Sequence, residues 1–249
     1  MLKYNQIKIS YVVQIYNEQK KSDDFYKLLD TYNNLPKNIL KHIHFIFIDD
    51  CSPIKISIPN TYTLNYTIAK VTTDIKWNQG GARNLGVHLS KSQKLIVTDL
   101  DHLFTEESFK FLFNFPIPND IFVFRRMINK KEVVSHYNTF FISKSTYFKS
   151  LGIDEEFCGN YGHEDVFFLD MQKRLGTKLY KFKDHPIQFS EHKESKNPQH
   201  HLIRNEENTR PLYNAKKNIL LDKNRDPFEA HSRLFLNFDW KIIEEKFDL

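Results

Sequence analysis

Lys94-Leu-Ile-Val-Thr-Asp-Leu-Asp101 is a short apolar run that stops at two carboxylates. A run of this length bounded by polar residues reads as a buried strand rather than a helix. The same pattern recurs on both sides of it. Upstream, Ile7–Ile15 is apolar and β-rich, and His44–Ile48 is a second short strand that runs into Asp49 and Asp50. Asp23–Tyr32 sets Phe25, Leu28, Leu29 and Tyr32 at helical spacing behind the candidate cap Ser22. Thr67–Thr72 reads as a strand and Gly81–Leu89 as a helix. Downstream, Thr105 is a candidate cap for a helix through Phe113, and Ile121–Arg125 and Thr139–Ile142 read as strands. Glu164–Leu175 is helical with Gly176 as its stop, and Leu179–Phe182 and Ile187–Ser190 are the last strands. Repeated strand–helix alternation predicts an α/β sheet with helices on its faces. Ligands of such sheets bind beyond the carboxyl ends of the strands. Polar clusters stand there at Asp49-Asp50, at Asp99–Asp101 and near Ser190.

The chain has 249 residues, of which 40% are hydrophobic, with only 7 glycines and 9 prolines. That composition excludes collagen-like and Gly/Pro-rich disordered classes. Residues 1–193 read as the main domain. Residues 194–249 read as an extension, polar at first and apolar-aromatic from Leu234, that packs back onto it. A net charge of +5 permits an anionic ligand such as a nucleotide. The charge is not concentrated as in nucleic-acid-binding folds, so no nucleic acid is expected. Cys51 and Cys158 are too few for a disulfide framework and fit no zinc spacing. No run approaches the ~18 apolar residues of a membrane span, and the N-terminus lacks a signal-peptide core. A cytoplasmic protein is therefore expected; its basic and aromatic residues are compatible with peripheral membrane association.

Five constellations carry chemistry. Asp99 and Asp101 offer hard oxygen ligands suited to Mg²⁺ or Mn²⁺ with phosphate, although Asp-x-Asp by itself is most often a strand-end turn. Asp50 can bond a nucleobase or ribose, or close an Asx-turn before Pro53. Trp77-Asn-Gln-Gly-Gly-Ala-Arg83 puts Gly81 at a helix start, where backbone approach and the helix N-terminus suit an anion, with the cation Arg83 alongside. Phe157–Phe168 sets Glu164 and Asp165 at another helix start, either as a general base or as ordinary N-terminal charge. His192, beyond the last strand, can complete a metal site, in competition with other histidines such as His102 and His163.

In this order the motifs resemble a nucleotide-sugar-dependent glycosyltransferase of the GT-A fold, similar to family 2, with the Glu-Asp motif of galactosyltransferase and chondroitin-synthase-like enzymes. Tyr11–Glu18 resembles that family's opening strand and turn, and Ile48–Ser52 its second strand. Asn78–Gly86 resembles the glycine-rich helix start, Leu95–Asp101 the metal-binding strand, and Gly162–Asp165 the acceptor-side motif. The match runs from about residue 8 to 192. Three positions depart from the pattern: Gln14 replaces a usual Pro, and Cys51 and His163 stand where Gly is common.

The resemblance implies a GT-A, Rossmann-like mixed sheet flanked by helices. It implies metal-dependent, inverting transfer of a sugar from a nucleoside diphosphate, favouring UDP, to an acceptor hydroxyl such as a glycan's. Asp101, Asp99 and His192 would hold Mn²⁺ or Mg²⁺. Asp50 and the turn Tyr16, Asn17 and Glu18 would take the nucleotide, with Gly81 and Arg83 beside it. Asp165 would be the base, and Glu164 would bind sugar hydroxyls. Trp77, Phe157 and Tyr161 are candidates for stacking on sugar rings. The alternatives are a nucleotidyltransferase acting on sugar phosphates and a non-enzymatic basic nucleic-acid- or glycan-binding protein. The first lacks its expected glycine-rich loop after the opening strand.

Overall fold

Four parallel strands form the centre of the sheet. They are β1 (Ile9–Ile15), β2 (Ile43–Asp50), β3 (Asn65–Val71) and β4 (Lys94–Thr98), in the spatial order β3-β2-β1-β4. The structure is a computed structural model and describes residues 4–18, 23–189 and 201–247. The candidate cap Ser22 and His192 lie outside the described residues.

Between the central strands run the helices α1 (Asp23–Asn33), α2 (Lys37–Leu40) and α3 (Gln79–Leu89). After β4 come β5 (His102–Leu103), α4 (Glu106–Asn114), β6 (Ile121–Ile128), β7 (Lys131–Val133), β8 (Phe140–Ser143), α5 (Lys144–Lys149), α6 (Glu164–Arg174) and β9 (Leu179–Phe189). β8 pairs antiparallel with β4, β6 antiparallel with β8, and β9 parallel with β6. The result is a mixed sheet of ten strands among the described residues.

Side-chain alternation assigns each strand's faces. Ile9, Tyr11, Val13 and Ile15 of β1 join Phe25, Leu29 and Tyr32 of α1 and Phe109 and Leu112 of α4. Val12 faces the other way, towards Ala82, Leu85 and Val87 of α3 and Phe168 of α6. Gly86 lets α3 lie this close, since a Cβ there would sit 2.3 Å from Val12 Cγ1. Thr105 caps α4 by accepting from the Ser108 amide at 3.2 Å.

The last strands differ from expectation. Leu179–Phe182 and Ile187–Phe189 are parts of the single strand β9, whose register against β6 slips between Val123 and Arg125, while Ser190 lies outside the described residues. Pro186 sits just past the slip, which lets a residue with no amide hydrogen stay inside a strand. Further along, α7 (Thr209–Leu221) packs against α6, where Tyr213 and Leu220 meet Phe167 and Met171. β10 (Trp240–Lys246) pairs antiparallel with β3 and covers what would otherwise be a bare edge. No helix among the described residues is long and apolar enough to cross a membrane.

Candidate active site

β4 ends at Thr98, and the chain turns through Asp99–Asp101 into β5. That turn is anchored from beneath, where the Tyr11 hydroxyl donates to the His102 carbonyl at 2.9 Å. Asp99 Oδ1 accepts from Arg83 Nη2 at 2.7 Å, from Gln14 Nε2 at 2.9 Å and from Gln79 Nε2 at 3.2 Å. Gln14 thus occupies its unusual position with a definite task, holding the first Asp of the Asp-x-Asp turn. Arg83 is fully buried, with Nη2 on Asp99 and Nη1 without a hydrogen-bond partner among the described residues. Burial favours the neutral acid at Asp99, but the charge of Arg83, with His102 and His136, outweighs it and holds the carboxyl below its ordinary range. Asp101 is the member that reaches solvent, with 41% of its side chain exposed against 20% for Asp99. Desolvation and the neighbouring Asp99 charge push it up to about 6.

Asp99, His102 and His136 bring ligand atoms within 4.8 Å of one another. His136 Nδ1 lies 3.7 Å from Asp99 Oδ2 and is buried with no hydrogen-bond partner among the described residues. His102 Nδ1 pairs with the Thr139 hydroxyl, and its Nε2 is 3.8 Å from Asp101 Oδ1. Two carboxylates and two imidazoles, one of them with an orphaned buried nitrogen, form a donor set that fits a divalent cation. His136 carries no signal in the sequence, because it belongs to no motif and only the fold brings it to β4.

Asp50 ends β2 and is buried. Its Oδ1 accepts from Asn78 Nδ2 at 3.0 Å, and desolvation pushes its pKa up to about 7 despite that bond. The Asx-turn before Pro53 is present, but Asp49 makes it: its Oδ1 accepts from the Ser52 amide at 2.8 Å, while Oδ2 pairs with Lys70 at 3.1 Å. The opening turn docks here, with the Asn17 amide donating to Ser52 Oγ at 2.9 Å. Tyr16 donates to Glu18 at 2.9 Å, and Glu18 also takes His201 at 2.7 Å. Burial would raise Glu18, yet the hydrogen bonds from His201 and Tyr16 hold it below its usual value.

The structure corrects the reason for Gly81. A Cβ there would meet Asn78 Oδ1 at 2.3 Å and Phe238 at 2.6 Å, so protein atoms rather than an open ligand cradle fill its free side. Cys51 and His163 prove informative as well. They have φ of 55° and 72°, left-handed conformations in which a glycine carries no steric penalty.

His163 opens α6 and is fixed through Nδ1 to Thr209 at 3.0 Å and by stacking on Tyr213. Glu164 follows it. Desolvation and the adjacent Asp165 push it up to about 7, and its Oε2 is buried without a partner among the described residues. Asp165 Oδ1 accepts from the Val166 amide at 2.8 Å. Glu164 feels the charges of Arg83 and Asp99, and His136 feels Asp165, so this helix start is within electrostatic range of the Asp-x-Asp turn. Burial, with the nearby charges of Glu155, Asp50 and Glu164, pushes the Cys158 thiol up to about 12. Trp77 and Tyr161 meet edge to face at 4.8 Å, with Arg204 5.8 Å over the Tyr161 ring. Phe157 cannot stack on a sugar, because it is buried between α6 and α7.

No protein-family profile and no curated protein matches the chain. Solved structures do. TarS from S. aureus, residues 1–349 in complex with UDP-GlcNAc, superposes with TM-score 0.60 at 14% identity, over 90% of this chain and 69% of that one. Only 41% of a longer TarS chain is covered. The catalytic domain of Drosophila β1,4-galactosyltransferase 7 in complex with xylobiose gives TM-score 0.55 at 11% identity, over 95% of this chain and 86% of that one. The mannosyltransferase PcManGT from Pyrobaculum calidifontis, in complex with GDP-Man and Mn²⁺, gives TM-score 0.55 at 11% identity, over 89% and 66%. A central parallel sheet continued by antiparallel strands, with helices on both faces and likeness to three such enzymes, gives this chain the GT-A fold of glycosyltransferases.

Proposed function

We propose that the protein is a metal-dependent, inverting glycosyltransferase that moves a sugar from a nucleoside diphosphate, with UDP the favoured carrier, to an acceptor hydroxyl on a glycan. The observation that carries this reading is proximity: Glu164 lies within electrostatic range of Arg83 and Asp99, and the Cys158 thiol within range of both Asp50 and Glu164. The similar GT-A-fold structures include complexes with UDP-GlcNAc, with UDP-Gal and manganese, and with GDP-Man and Mn²⁺.

In this reading Asp50, steadied through one oxygen by Asn78, offers the other to the imide N–H of a uracil. Tyr16, Asn17 and Glu18 border that pocket, closed on one side by Ser52 and His201. Arg83, Gln14 and Gln79 fix Asp99, and Asp101 faces the diphosphate. His192 is the remaining ligand suggested by the resemblance. A bound divalent cation, Mn²⁺ or Mg²⁺, neutralises negative charge that builds on the leaving diphosphate. Asp165 takes the proton from the acceptor hydroxyl as that oxygen attacks the anomeric carbon, and Glu164 holds sugar hydroxyls. A second assignment, with Glu164 as the base, is favoured by its unpartnered Oε2 and its pKa near 7, suited to proton transfer at neutral pH.

A thermal-shift panel of UDP-, GDP-, CMP- and dTDP-sugars with and without Mn²⁺ tests the reading. One donor class should raise the melting temperature only with metal; no shift with any donor would refute it. Asp165→Asn should then abolish turnover while nucleotide binding survives. If Glu164→Gln does so instead, the base is Glu164.

A further inference from the structure

The turn around the Asp-x-Asp motif contains more nitrogen than a magnesium site needs. Asp99 has one oxygen committed to Arg83, Gln14 and Gln79, which leaves Oδ2 turned to His136 at 3.7 Å. Ligands about 2.1 Å from a common ion lie roughly 3–4 Å apart, so that separation suits a shared cation. His136 Nδ1 is a buried nitrogen with no hydrogen-bond partner among the described residues, an arrangement that costs free energy unless something else occupies it. His102 closes the third corner. The Thr139 hydroxyl pairs with its Nδ1, the kind of outer contact that fixes ring orientation in metal-bound histidines. Thr139 is itself buried and hydrogen-bonded to Thr98 at 3.1 Å, so the ring is set by the end of β4 and the start of β8. Asp101 Oδ1, 3.8 Å from His102 Nε2, supplies a second negative charge at the rim.

We infer that Asp99, His102 and His136 form a binding site for a divalent transition-metal ion, a two-histidine, one-carboxylate set drawn from the turn after β4 and the segment before β8. The inference extends the glycosyltransferase reading by naming which side chains hold its cation. It adds His136, which belongs to no sequence motif, as a nitrogen ligand. Imidazole nitrogen suits Mn²⁺, Co²⁺ or Zn²⁺, whereas Mg²⁺ prefers oxygen ligands and retains water.

The test uses the full chain without any nucleotide sugar. Co²⁺ titration, followed by visible absorption, should show one equivalent bound and should persist in excess Mg²⁺. His136→Gln should weaken Co²⁺ binding at least ~10-fold, whereas His88→Gln should leave it within a factor of two. Unchanged binding in His136→Gln, or no binding by the unaltered chain, overturns the inference. If His136→Gln fails to fold, long-range ¹H–¹⁵N NMR of the unaltered chain decides the matter: Zn²⁺ should shift the imidazole nitrogens of His102 and His136, and unshifted signals overturn it. Sugar transfer enters neither measurement. A chain that binds Co²⁺ through His136 but no nucleotide sugar keeps this inference and loses the glycosyltransferase reading, and the converse result separates them equally well.

Discussion

Arg83 is the largest fully buried side chain, and its guanidinium holds the first carboxylate of the Asp-x-Asp turn at 2.7 Å. Removing one partner of such a pair leaves the other charge without compensation. Arg83→Met should therefore cost about 3 kcal/mol, at the low end of the range for buried pairs because Asp99 retains some contact with solvent. Urea denaturation of the two proteins gives the difference. Glu164 allows a pH test. Its folded pKa of about 7 lies above the ordinary 4.5, so between those values the folded state holds a proton that the unfolded chain has released. Stability contributed by this group falls as pH rises through that window. His44 acts oppositely: burial lowers it from 6.5 to about 3, so protonation of the unfolded chain destabilises the fold as pH falls. The clean readout is the difference between proteins that share His44. The melting temperature of Glu164→Gln minus that of the unaltered protein should rise from pH 4.5 to 7; a flat difference would mean that Glu164 titrates normally.

The helix α3 shows how one segment serves packing and chemistry together. Gly86 admits Val12 of β1 at its face, and Arg83, less than one turn earlier, delivers its guanidinium to the end of β4. Gly86→Ala would push the helix off β1 and should cost about 1–3 kcal/mol. It should also loosen metal-dependent donor binding, because Arg83 and Gln79 move with the helix; calorimetric titration with nucleotide would register this. Asn84 on the same helix is buried and fully paired, accepting from Tyr147 at 2.8 Å and the Ile153 amide at 2.9 Å while donating to Glu155. Through Glu155 that network reaches the amides of Leu236 and Asn237 at 2.8 and 2.9 Å. The chemistry-bearing helix is thus tied to the last part of the chain.

Taken whole, the molecule is closed by that last part. Lys216 of α7 is buried with Asp154 at 2.7 Å, and β10 shields the edge of β3 while Leu236, Phe238 and Trp240 pack on the core. Deleting residues 234–249 would bare the β3 edge and strip Glu155 of two amide donors. The shortened chain should aggregate on size-exclusion chromatography, since unpaired strand edges recruit one another.

Legibility followed from locality. The strands ending in Asp50 and Asp99, the capped helix after Thr105 and the α6 start could be read from the chain, because apolar period and cap chemistry act between near neighbours. The two left-handed positions, Cys51 and His163, stood out as departures from a glycine pattern for a local reason too. Other features depended on distant partners. Gln14, Gln79 and Arg83 meet on Asp99 only after β1, α3 and β4 are laid side by side. His136 lies far along the chain from Asp99 and reaches it because β8 runs antiparallel to β4. Phe157 looked like a sugar platform and became core, because α7 covers it. The linear order of residues thus specified the strands, the helix caps and the carboxylates at strand ends, since each depends on spacing within a few residues. Which side chains pair with those carboxylates, which glycines serve packing and which histidines stand at the Asp-x-Asp turn depended on contacts between distant segments, which exist only once the sheet has formed.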